Sequence, residues 1–312
     1  MSQTVILVHK QQIENIKKYY SSNLQPTPSG AIFRAKTKTC TITAYKSGKV
    51  LFQGTGHEIE ARRWQSNDLS SNKSTNKTSS AKAKHSYYPP STIFTSNHMG
   101  TDEAGTGDYF GPITVAAVYV TQEQVPFLRE IGVQDSKNLK DPKITEIAKK
   151  IVKEKLPYSL VKLHNPQYND LQVKGWSQGK MKTILHYYAI QKLMKKIDPI
   201  KPEAILVDQF SEPGVFIRHL QSEKHSLPEN IYFMTKAESY SIAVAAASII
   251  ARASFVLEMD RLSEEAGLYL PKGASRKVDE TASTLIKEKG RESLQQYAKV
   301  HFANTTKAEA YL

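Results

Sequence analysis

A chain of 312 residues, 39% hydrophobic and 23% charged, has room for two domains and is neither disordered throughout nor short of core. Its net charge of +13 favours a polyanionic partner such as nucleic acid, although solubility accounts for part of such an excess. One cysteine, Cys40, excludes an internal disulfide and a cysteine metal site and suits a reducing cytoplasm. The start carries no signal peptide and no run of about eighteen apolar residues is evident, so no membrane span is expected.

Residues 1–65 read as a small α+β domain. Residues 4–8 are β-rich, and Ile13, Ile16 and Tyr20 stand at helical spacing within 11–20. Strands follow at 31–36, 39–45 and 50–53, with Ser47 and Gly48 as a hairpin turn. Residues 57–64 suit a closing helix. This segment holds ten Lys/Arg against three Asp/Glu, a net of +7, which favours a nucleic-acid-binding face over an ordinary solvated one. Residues 66–91 are dominated by Ser, Asn, Thr and Lys and read as a flexible linker.

Residues 92–312 form the second domain. Two apolar strands flank the segment TDEAGTGDYFGP at 101–112, giving a hairpin. A helix over 139–155 has Asp141 as its N-cap and Pro142 at its first position. A strand at 158–163 follows Pro157. A basic amphipathic helix occupies 180–197. The apolar strand AILVD at 204–208 ends in an acid, and another strand spans 231–235. An Ala-rich helix runs over 238–261 with Ile242, Ala246, Ile249, Ala253 and Val256 on one stripe. The part from about 281 is mostly helical. This order predicts an α/β layer fold.

Four acids fall at or near element ends, where α/β folds build active sites. Asp102 and Glu103 end the first hairpin strand, Asp208 ends AILVD, and Glu238 opens the Ala-rich helix. Carboxylates beside buried strands are costly unless something pairs with them, and hard cations such as Mg²⁺ take oxygen ligands. Neighbouring strand residues point to opposite faces, so Asp102 and Glu103 share one metal pair only if the strand bends at Glu103. Gly105 and Gly107 make such a bend easy. On the doublet alone an exposed Glu103 fits equally well; Asp208 tips the balance toward metal. An acid at a helix start is also ordinary dipole compensation, so Glu238 alone says little. Asp108 reads as structural. The nine histidines show no zinc spacing, no nucleophilic triad is visible, and the glycine turn is no P-loop.

DEAGTGDYFGP, VQDSKNL at 133–139, AILVDQF at 204–210 and KAESYSIAVAAASIIAR at 236–252 together resemble the type 2 ribonucleases H, in order and spacing across nearly all of 98–305. The middle residue Thr106, the acid Glu238 and a basic N-terminal domain resemble the ribonuclease HIII branch rather than ribonuclease HII. The resemblance implies a ribonuclease H-like mixed five-stranded sheet with flanking helices, preceded by a small α+β TATA-binding-protein-like domain that helps bind substrate. It implies endonucleolytic cleavage of the RNA strand of RNA/DNA hybrids to 5′-phosphate and 3′-hydroxyl ends, with Mg²⁺ or Mn²⁺ as cofactor. Asp102, Glu103, Asp208 and Glu238 would be the catalytic metal ligands. Gly105, Thr106 and Gly107 would meet ribose 2′-hydroxyls, the group that distinguishes RNA from DNA. Ser136 and Lys137 would hold a phosphate. Lys180, Lys182 and His186 suit either the DNA strand or a solvated face, Trp176 suits the core better than base stacking, and Tyr240 and Ser241 could touch the substrate backbone. Rival readings are cleavage at single embedded ribonucleotides and a non-catalytic binding protein. The expected working form is a cytoplasmic monomer that requires no protein partner.

Overall fold

The computed structural model describes residues 3–8, 10–28, 30–45, 47–64, 85–134 and 139–312. They fall into two compact units, Met1–Ser80 and Ala81–Leu312. The greater part of the expected linker, and Ser136 and Lys137, lie outside the described residues.

The first unit holds strands β1 (Gln3–Leu7), β2 (Leu24–Gln25), β3 (Ala31–Lys36), β4 (Thr41–Tyr45) and β5 (Lys49–Gln53), with helices α1 (Lys10–Tyr19) and α2 (His57–Arg62). The sheet runs β1-β5-β4-β3-β2 and every pair is antiparallel. Alternation decides its faces: Phe33 and Ala35 of β3 are buried, while Arg34 and Lys36 are exposed. Ile13 and Ile16 of α1 and Ala61 of α2 join Phe33, Ile42, Val50 and Phe52 in one core, so the helices cover one face and the β3 cations occupy the other. The strand expected from residue 39 begins at Thr41. Thr37 and Cys40 instead close the β3–β4 turn, the Thr37 N–H donating to the Cys40 carbonyl at 2.8 Å and the Cys40 N–H to Thr37 Oγ1 at 3.0 Å.

The second unit is built on β6 (His98–Ala104), β7 (Ile113–Val120), β8 (Tyr158–Leu163), β9 (Ala204–Asp208) and β10 (Ile231–Met234). Its helices are α3 (Val125–Glu130), α4 (Asp141–Lys153), α5 (Asn165–Val173), α6 (Gln178–Ile197), α7 (Pro213–Ser222), α8 (Ile242–Ala266), α9 (Arg276–Lys289), α10 (Leu294–Tyr297) and α11 (Ala303–Glu309). The sheet order is β10-β9-β6-β7-β8. β10, β9 and β6 are mutually parallel, while β7 is antiparallel to both β6 and β8. This is the expected mixed five-stranded sheet. It is buried on both faces: Val115, Ala117 and Tyr119 of β7 pack with α6, and Ala116, Val118 and Val120 pack with α4 and α8.

α8 presses closely on the central strand. A Cβ at Gly100 of β6 would overlap the Val244 nitrogen and the Ala243 carbonyl, so glycine permits that approach. α8 is long and apolar enough to cross a membrane, with a window of mean hydropathy 1.8, against the expectation of no such run. That window is 78% buried within the protein, which marks a core helix.

Three further expectations change. Asp141 is the first residue of α4 rather than its cap, because its carboxylate is held by Arg252 at 3.0 Å and Lys272 at 2.5 Å. Glu238 lies in a separate 3₁₀ turn, Ala237–Ser239, ahead of α8. Ser241 caps α8 instead, accepting the Val244 N–H at 3.2 Å. Tyr87 belongs to the folded unit rather than to a linker: its carbonyl accepts the Phe233 N–H at 3.0 Å and its ring packs on Phe233.

Candidate active site at the strand ends

The parallel register brings two of the acids side by side. Thr101 of β6 stands opposite Val207 of β9, so the next residue on each strand is an aspartate, Asp102 and Asp208. In-register neighbours on parallel strands direct their side chains to the same face. Asp208 Oδ1 accepts the Ala237 N–H at 2.9 Å. That bond ties the turn carrying buried Glu238 to the end of β9. Asp102 is 8% exposed, accepts the Glu103 N–H at 2.8 Å and is hydrogen bonded by Ser248 of α8. Burial, then the charges of Glu103 and Asp208, push its carboxyl well above the usual carboxylate range, against the pull of those hydrogen bonds. Anions crowded in low dielectric produce this shift.

Glu103 behaves differently. The bend that a shared metal pair would need is absent: pairing with β7 runs unbroken through Glu103 and Ala104, and the chain turns only at Gly105. Glu103 therefore leaves β6 on the α6 face, opposite Asp102. Lys182 Nζ donates to its Oε1 at 2.8 Å and His186 Nε2 to its Oε2 at 2.9 Å. His186 is wholly buried, and its Nδ1 lies 2.8 Å from Thr101 Oγ1. Burial pushes Glu103 up, but the hydrogen bonds and charges of His186 and Lys182 outweigh it, and its carboxyl is held below the usual range. Lys182 and His186 thus turn inward to an acid, where the sequence suggested a DNA-facing or solvated surface. Their i,i+4 spacing was the available signal, since it puts both on one helix face.

The donor chemistry fits a hard divalent cation: Asp102, Asp208 and Glu238 offer only carboxylate oxygens, in a place where added positive charge relieves Asp102. As the side chains stand, no three acidic or histidine groups among the described residues surround one point closely enough to hold an ion. Closing such a site needs side-chain rotation, and Glu103 would have to exchange Lys182 and His186 for the ion.

The glycine turn has two unlike glycines. Gly105 is buried at φ +86°, and a Cβ there would overlap the Pro112 carbonyl. Gly107 is exposed with open space around it and no left-handed φ. Packing requires the first to be glycine; nothing in the fold requires the second. Beyond the turn, Asp108 Oδ1 accepts the Gly273 N–H at 2.6 Å. Lys299, wholly buried, donates to the carbonyls of Asp108 at 2.8 Å and Gly111 at 2.5 Å.

The remaining candidates disperse. Lys180 pairs with Glu223 at 2.5 Å and lies over the ring of Trp176, which packs on the core. Ser241 is buried, its Oγ 2.7 Å from His98 Nε2. Tyr240 is 62% exposed, beside a groove of about 370 Å³ lined also by Arg129, Gln134 and Glu238.

A family described as Ribonuclease HII matches residues 99–305, and one described as a domain of unknown function, DUF3378, matches residues 3–77. A protein of Oceanobacillus iheyensis named Ribonuclease HIII is 58% identical over 100% of both chains. One of Bacillus subtilis with the same name is 51% identical, over 99% of this chain and 97% of its own. The crystal structure of Bst-RNase HIII in complex with Mn²⁺ is 43% identical, with a TM-score of 0.68 over 99% of both chains. With matches of this extent in both units, the chain belongs to the ribonuclease HII family and, within it, to the ribonuclease HIII proteins.

Proposed function

We propose that Asp102, Glu103, Asp208 and Glu238 hold the divalent ions, Mg²⁺ or Mn²⁺, with which this nuclease cuts the RNA strand of RNA/DNA hybrids internally, leaving 5′-phosphate and 3′-hydroxyl ends. The observation that carries this reading is the pair Asp102 and Asp208 at matching ends of adjacent parallel strands, with the Asp102 carboxyl pushed up by its neighbours. Bound there, the ions supply charge neutralisation and an acidified water for in-line displacement at phosphorus. Asp102 is central because the charges of both Glu103 and Asp208 act on it. Ser248 and the Glu103 N–H orient it, which limits the rearrangement needed when an ion enters. Lys182 and His186 hold Glu103 ionised until then.

The turn 105–107 supplies selectivity for RNA. Open space at Gly107 lets a sugar approach the backbone closely, where peptide groups can hydrogen-bond a 2′-hydroxyl. Ser136 and Lys137 keep their proposed phosphate role on sequence grounds. All four acids and the turn come from one chain, so a monomer suffices, and the buried free thiol of Cys40 suits the cytoplasm.

The decisive experiment incubates the protein and Mg²⁺ or Mn²⁺ in parallel with a labelled hybrid, duplex DNA, duplex RNA and a DNA duplex carrying one ribonucleotide. Internal cutting of the RNA strand in the hybrid, with the other three spared, is expected. Binding without cleavage, or preferred cutting at the single ribonucleotide, overturns the reading.

A further inference from the structure

We infer that Gln178 is a positioning residue for RNA selectivity, because its side-chain amide fixes the orientation of the Thr106–Gly107 peptide in the glycine turn. The inference rests on the reading that this turn meets ribose 2′-hydroxyls. Gln178 is the first residue of α6, and Ser177 caps that helix by accepting the Lys180 N–H at 3.1 Å. From there Gln178 Nε2 donates to the Thr106 carbonyl at 3.0 Å and to the Tyr168 hydroxyl at 3.2 Å. The amide cannot be reversed without loss, since a carbonyl only accepts and Gln Oε1 cannot donate to it. Tyr168 is wholly buried and its ring stacks on His301, so the anchor for Gln178 is rigid.

The peptide plane does the rest. Among the described residues the bond between Thr106 and Gly107 is trans, which points the Gly107 N–H opposite to the Thr106 carbonyl. With the carbonyl drawn toward Gln178, the N–H is aimed away from Gln178 and the helix that carries it. No acceptor among the described residues takes that N–H, Gly107 is exposed, and a Cβ built on it would meet nothing within 4 Å. A free donor at an exposed glycine, held by a side chain behind it, suits an oxygen arriving from outside. Lys299 and Gly273 hold the following residues, through Asp108 and Gly111, so the Thr106–Gly107 peptide is the part of the loop that Gln178 governs. Without the amide this peptide can flip, and the turn would present a carbonyl where it now presents a donor.

The test couples Gln178 to the sugar. Hybrids whose RNA strand carries a single 2′-fluoro ribose, walked along the strand, are bound by wild type, Gln178→Glu and Gln178→Met in the full chain, with Ca²⁺ in place of Mg²⁺ and anisotropy as the readout. Glu is isosteric but cannot donate while ionised, and Met keeps length without polarity; melting curves check that both fold. Wild type is expected to lose about tenfold in affinity at one ribose, the worth of one good hydrogen bond. Both variants should bind the unmodified hybrid more weakly and lose little further at that ribose. If the variants lose the same factor as wild type, Gln178 does not orient the donor and the inference fails while the turn reading stands. If wild type loses nothing at any position, the turn reading itself fails and takes the inference with it.

Discussion

Asp102 concentrates the electrostatic strain of the site on one atom group. Its carboxyl is pushed up by burial and by Glu103 and Asp208, so its ionised form opposes folding. A group raised in the folded state contributes stability at low pH and loses it as pH rises through the folded value. Asp102→Asn mimics the protonated form with the same shape. In chelator the variant should be more stable than wild type by about 1–2 kcal/mol, while cleavage falls by roughly 10³-fold or more. Hybrid affinity should change little, since phosphate contacts dominate it. Near wild-type turnover in Asp102→Asn would remove the metal reading. Lys299 gives an independent pH signature. Burial pushes its ammonium down to about 7, against the pull of Asp108. An unfolded lysine titrates near 10.4, so between these values the unfolded chain holds the extra proton and stability rises with pH. Urea melts of wild type and Lys299→Met at about pH 6.5 and pH 9.5 should show wild type gaining on the variant by on the order of 1 kcal/mol per pH unit. A constant difference would mean that Lys299 keeps its proton throughout. The sequence shows the acids because carboxylates beside apolar strands are conspicuous. It does not show that Lys182 and His186 pair with Glu103 or that Gln178 reaches Thr106, since these partners lie 79, 83 and 72 residues away and no local pattern records a contact at that separation.

Elements are readable where one period dominates. The run of β3, the apolar run of β9 and the stripe of α8 each have one packing solution; both strands form where the pattern places them, while α8 runs Ile242–Ala266 rather than over 238–261. The pattern fails where side-chain chemistry sets the boundary: Asp141 is drawn out of its capping role by two cations, and Glu238 is held in a 3₁₀ turn tied to Asp208. At Glu103 the alternation holds: the bend that a shared metal pair would need does not form, and the ladder continues through Ala104. The glycines separate the two kinds of requirement. Gly100 lies in the central strand under α8, and a Cβ there meets backbone atoms that cannot move aside. Gly100→Ala should cost about 2–3 kcal/mol as α8 is forced off β6. Gly107→Ala meets nothing and should change stability by less than about 0.5 kcal/mol, yet weaken hybrid cleavage because the sugar can no longer come close. Thermal melts beside cleavage rates check the pair. Equal stability losses in both variants would show that the fold, not the substrate, demands glycine at 107.

At the scale of the whole chain, charge and chemistry are divided. The acids all lie in the second unit, while residues 1–65 carry ten of the basic side chains against three acidic ones. Strand alternation puts Arg34 and Lys36 on the face of the first sheet that its helices leave open. With Lys38 they line a groove of about 320 Å³. Exposed cations on a sheet face suit backbone contact that adds affinity but no chemistry. Each phosphate neutralised releases counterions, so log affinity falls with log salt by roughly 0.7–0.9 per contact. Arg34→Ala combined with Lys36→Ala in the full chain should therefore weaken hybrid binding at low salt and flatten the salt slope by about 1–2. The saturated cleavage rate should hold, because the acids are untouched; the effect belongs in KM. An unchanged slope would place the phosphate contacts elsewhere. A fall in the saturated rate instead would mean that the first unit acts on the chemistry and not only on capture.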